Sequence, residues 1–142
     1  MRTLLLAIIL TVQLPVNGQN SPGTEHWVAF MENLDLQFNN APSFHLVISS
    51  EYDATGQVVV PATGYTIPFS IPAGADTVID LPQNIYYAAG DEVLFNFGLR
   101  VSADVPVNVY AYHDRVYFSD ASLILPTSML GTDYLVVAHE DD

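Results

Sequence analysis

Lysine and cysteine are both missing from the sequence, and only three arginines offset 16 aspartates and glutamates. Without cysteine there is no disulfide framework and no lipid-modified cysteine anchor, so an exported chain of this kind must be held together by packing alone. Without clustered cations there is no electrostatic footprint for nucleic acid. Removal of Arg2 with a leader takes the formal net charge from −13 to −14, a surface that repels phosphate backbones and anionic lipid. Basic proteins or cations are attracted instead, and the same charge keeps a secreted β protein in solution. Long hydrophobic runs are scarce too. The run from Leu4 to Leu14 is shorter than the about 20 residues needed to span a bilayer, and no second apolar tail follows, so no membrane insertion of the mature chain is expected. Repeats, linkers, low-complexity tracts and long helical periods are also lacking.

What the chain does contain divides at residue 18. Met1-Arg2 is a short positive start, Thr3 to Leu14 is almost wholly apolar, and Val16-Asn17-Gly18 places small residues at positions −3 and −1 of a cleavage site. Residues 1–18 therefore read as a secretory signal peptide cleaved after Gly18, and the product as secreted, extracellular or held at the cell surface. Residues 19–142 are long enough for a single domain that buries roughly two-thirds of its unfolded surface.

That domain reads as strands separated by turns. Trp27 to Met31 opens the series; Phe44, Leu46 and Ile48 alternate with His45 and Val47; Gln57 to Val60 is a more continuous run closed by Pro61. Tyr65 to Ile71 has the cleanest period of two, and Pro68 within it, lacking a ladder N–H, predicts an edge strand. Thr77 to Leu81 follows. Residues 83 to 90 have the composition of one helical turn ended by Gly90, and Glu92 to Phe97 of another strand. Leu99, Val101 and Ala103 then face opposite to Arg100 and Ser102. Asp104-Val105-Pro106 reads as a turn into a strand with Val107, Val109 and Ala111 on one face and Asn108, Tyr110 and Tyr112 on the other. Strands near Tyr117 to Leu125 and Tyr134 to Ala138, with a loop or 3₁₀ turn from Pro126 to Gly131, complete an all-β antiparallel sandwich or jelly-roll-like domain.

Chemistry-bearing constellations are thin. His26, His45, His113 and His139 form no metal-ligand spacing and read as ordinary surface or edge histidines, so no metal and no cofactor is expected. The nucleophile elbow G-x-S-x-G is absent, which speaks against a hydrolase. His113-Asp114 and Ser119-Asp120 are neighbours in sequence, but neighbours on a strand point to opposite faces. Acidic pairs such as Glu51 with Asp53, Asp76 with Asp80 and Asp91 with Glu92 offer oxygen ligands for calcium, yet without a D-x-D-x-D-G run they read as solvated loop charges. Trp27, Phe30, Phe44, Phe69 and Phe95 read as core. Tyr110 and Tyr112 share one strand face with Tyr117 near it; such a trio either fills a sheet surface or presents a ligand face to a protein or a glycan.

Three longer phrases resemble one family. Gly23 to Asn33 (GTEHWVAFMEN), Val101 to Ala111 (VSADVPVNVYA), and Ser119 to Tyr134 with its S-D-A, L-P and L-G-x-x-Y spacing are similar to blocks of the IgGFc-binding protein N-terminal domain family. The resemblance implies an extracellular binding or adhesion module with no catalytic residues to transfer, hence a protein that is not an enzyme. A carbohydrate-binding sandwich using Tyr110 and Tyr112 is the alternative, and a hydrolase a more distant third. Proteins of that family continue past the L-G-x-x-Y phrase, so the resemblance also implies that the sandwich here is incomplete at its C-terminal edge.

Overall fold

In a computed structural model the residues described are 21–31, 42–82, 87–88, 96–115 and 118–135. The proposed signal peptide, Phe95, Asp91, Glu92, Tyr117 and His139 lie outside them. Alternation of apolar and polar residues produces β1 (Gly23–Val28), β3 (Ser43–Ser49), β4 (Ala54–Val60), β5 (Tyr65–Ile71), β6 (Asp76–Leu81), β8 (Leu99–Arg115) and β9 (Phe118–Ile124), which pair antiparallel in one seven-stranded sheet. Two-residue strands β2 (Phe30–Met31) and β7 (Tyr87–Ala88) pair parallel beside it. Pro68 sits on β5, an edge strand, as its missing N–H requires.

Strand β8 organises the whole. A straight strand of 17 residues would run about 56 Å, longer than a domain of this size is wide, and β8 serves two half-sheets in succession. Its N-terminal part pairs with β4 and β1; its C-terminal part pairs with β3 and β9. The register changes between them: residues 50–55 lie opposite 104–107, so β3–β4 carries extra chain at the crease. The first half is thus β5-β4-β8-β1, the second β6-β3-β8-β9, and the sheet folds upon itself into the antiparallel sandwich expected from the sequence. Side chains replace the ladder at the crease. Asp104 accepts from the Thr55 N–H (2.7 Å) and the Thr55 hydroxyl (2.9 Å), and Asp53 accepts from the Ala73 N–H (2.8 Å). Gly74, with φ 74°, supplies the left-handed backbone at the third crossing of this line. The Thr55 bonds hold the Asp104 carboxyl below its ordinary pKa.

Inward residues of both halves form one core: Val28, Val58, Val60, Ile71, Leu99 and Val101 in the first, Phe44, Leu46, Ile48, Ile79, Leu81 and Val109 in the second. Each large apolar side chain so buried stabilises the fold by about 1.5–3 kcal/mol.

Several expectations are corrected. Asp104-Val105-Pro106 is no turn but the bend of a continuous strand; Pro106 fits because it falls in the gap of the ladder, where no partner requires its N–H. Tyr87 and Ala88 are in strand, not in a helical turn. Trp27 is not core: 45% of it is exposed, because His26 and Val28 take the inward positions on β1. His26 and His113 are buried, not surface, histidines. Tyr134 and Leu135 are irregular and exposed, so the first two positions of the expected last strand are not strand; residues 136–138 lie outside the described ones. Asn96 and Phe97 are likewise irregular, whereas Thr127–Met129 forms the expected 3₁₀ turn.

Candidate functional site

The outward face of the second half places Tyr110 and Tyr112 on the central strand β8, flanked by β3 and β9. Cross-strand register aligns Val78, Val47, Tyr110 and Leu123 in one row, and Asp80, His45, Tyr112 and Ala121 in the next. Three inter-strand spacings make each row about 14 Å long. Tyr110 is 39% exposed and Val78 57%, so the first row presents an aliphatic and aromatic ridge to solvent. The second row is polar and fixed: His45 Nδ1 and Asp80 Oδ1 are 2.7 Å apart, and the His45 and Tyr112 rings lie 5.9 Å centre to centre. The Tyr112 hydroxyl donates to Asp114 (3.4 Å), and Ser119 donates to the same carboxylate oxygen (2.5 Å). Tyr110 and Tyr112 thus share the face that the sequence assigned to them. Tyr117, the third member of that trio, lies outside the described residues.

The inward face of the second half opens at β9. There the inward positions fall on Asp120, Ser122 and Ile124, too small or polar to close the layer, and a cleft of about 420 Å³ remains between β9 and β2. Ala111, Phe30 and Ile124 give it apolar walls and His113 faces it from β8. Burial holds the His113 imidazole below its ordinary pKa, opposed by the Asp120 carboxylate directly across the strand pair. His113 packs on Phe44 at 4.6 Å, and its Nε2 has no hydrogen-bond partner. No hydrogen bond joins it to Asp120 or Ser122, so His113 is not linked to a hydroxyl in the cleft.

Strand register, invisible in the linear sequence, pairs His113 with Asp120 inside and Asp114 with Ser119 outside. Of the acidic pairs considered for calcium, Asp53 is engaged at the crease and Asp80 with His45. Among the described residues, no group of three His, Asp or Glu side chains converges as a metal site.

Compared with family models, curated proteins and solved structures, the chain matches none.

Proposed function

We propose that this chain is a secreted binding module, acting by adhesion and not by turnover, that engages an extracellular protein through the outward face of its second half. The observation that carries this reading is the exposed Val78–Tyr110 ridge running across the paired strands β6, β3 and β8, where the strand ladder holds apolar surface in place for a partner's side chains. Aromatic anchors on a preorganised face contribute affinity at little entropic cost. Asp76, Asp80 and Asp114 beside the ridge favour a partner with basic residues at its rim. The resemblance to the IgGFc-binding N-terminal domain supports the same class of role and makes IgG Fc the first protein to test.

A glycan is the second reading, favoured by the Tyr112–Asp114–Ser119 cluster, which sets carboxylate and hydroxyl groups beside an aromatic ring. Surface plasmon resonance against immobilised IgG Fc and extracellular-matrix proteins, run beside a glycan array, tests both. Tyr110→Ala should weaken protein adhesion about tenfold or more. Loss of glycan binding in Tyr112→Ala, with protein adhesion intact, would support the glycan reading. Absence of binding to every surface would overturn both.

A further inference from the structure

The outward face of the first half carries a different chemistry. Trp27 on β1 and Arg100 on β8 are direct cross-strand partners, with Val59 of β4 on the far side of Arg100. The indole is nearly half exposed, and Gly98 lies at its edge, where even a methyl group would stand 3.6 Å from the ring. Arg100 is half-buried, and its Nε is enclosed without a hydrogen-bond partner. Among the described residues no carboxylate pairs with it: the ion pair there is His45 with Asp80. Glu25, two residues before Trp27 on β1, accepts from the Thr127 hydroxyl through its backbone carbonyl (2.9 Å) and through Oε1 (3.3 Å). A partly desolvated guanidinium with no counter-charge among the described residues, in a chain of net charge −13, pays a desolvation cost that an incoming anion would offset.

We propose that Trp27 and Arg100 form a binding site for a sugar acid, the carboxylate meeting the terminal guanidinium nitrogens and the apolar face of the sugar ring stacking on the indole. A guanidinium fork matches a planar carboxylate, and an open sheet face beside an exposed indole suits a flat ring. Charge selects within the anions. Screening confines each interaction to about 8 Å, so a ligand with one carboxylate feels mainly Arg100, whereas an acidic peptide brings several charges against a surface rich in Asp and Glu.

Trp27 is the sole tryptophan, so intrinsic fluorescence of the full chain reports directly on the site. Titration with sialyllactose, which carries one carboxylate, should give a saturable change that lactose does not. Arg100→Gln should raise the dissociation constant about tenfold or more, and Arg100→Lys, which keeps charge but loses the fork, should fall between. Circular dichroism of each variant checks folding, and Trp27→Phe, followed by calorimetry, tests the stacking independently if Arg100→Gln does not fold. No response to either sialyllactose or a glucuronyl disaccharide, or an equal response to lactose, would overturn the site. A tetraglutamate peptide binding as tightly as the sugar acids would overturn the sugar assignment.

Discussion

The two halves of the folded sheet follow one plan and finish it differently. Each presents an apolar inward face to a shared core and each buries a histidine, His26 in the first half and His113 in the second. In the first, β1 supplies His26 and Val28 to the inward face and seals it. In the second, β9 supplies Asp120, Ser122 and Ile124 and leaves the cleft open. Closure therefore depends on what the lateral strand carries at its inward positions, not on the central strand, which both halves share. The histidines differ in the same sense. His26 has no partner at either ring nitrogen and only burial acts on it, whereas His113 has Asp120 opposite. Outside, one half shows Trp27 beside Arg100, which has no ion pair among the described residues, the other a tyrosine ridge edged with aspartates.

Packing should show the contrast most strongly. Phe44, which touches Phe30 at 4.8 Å and His113 at 4.6 Å, lies in the sealed part of the second half. Phe44→Ala should cost about 3–5 kcal/mol, whereas Ile124→Ala at the cleft should cost less than about 2 kcal/mol, both read by urea unfolding. Equal losses would mean that the β9 edge is as closely packed as the interior.

Acid should discriminate the two histidines next. Burial lowers both pKa values in the folded chain, so on acidification the unfolded chain binds protons first. Stability from this source is full above the ordinary histidine value of about 6.5 and is lost as pH falls below it through the lowered folded values. Each group contributes a slope of up to about 1.4 kcal/mol per pH unit. Unfolding midpoints at pH 7.5 and pH 5 should separate less in His26→Leu than in His113→Leu, because Asp120 already offsets part of the burial effect at His113. A steeper acid loss contributed by His113 would break the comparison. The smallest effect belongs to the outer faces: Asp80→Asn, which removes the partner of His45 at a largely exposed carboxylate, should change stability by less than about 1 kcal/mol and progressively less with added salt.

Much of the fold is legible along the chain. Phe44, Leu46 and Ile48 alternate and are inward; Pro68 marks an edge; Tyr110 and Tyr112 share the outward face of β8. The errors have physical causes. Asp104-Val105-Pro106 has the composition of a turn, but the facing extra residues and the Asp104–Thr55 bonds turn it into a strand bend. Trp27 and Phe30 both read as core, yet positions three apart on a pleated strand face opposite ways: Phe30 falls on the inward side with His26 and Val28, and the indole is left exposed.

The sequence by itself determined the all-β class, the positions of most strands and the side of each strand that faces inward, because a period of two is a local property of a pleated backbone. It also determined the acidic charge. Only the tertiary structure decided which of those faces meet. The pairing of Trp27 with Arg100, of His113 with Asp120 and of Tyr110 with Val47 depends on the register of strands far apart in the chain, and on a crease that lets one strand serve two half-sheets. Local pattern carries no information on register across such separations, since shifting a strand by two residues leaves every side chain on the same face and changes every partner.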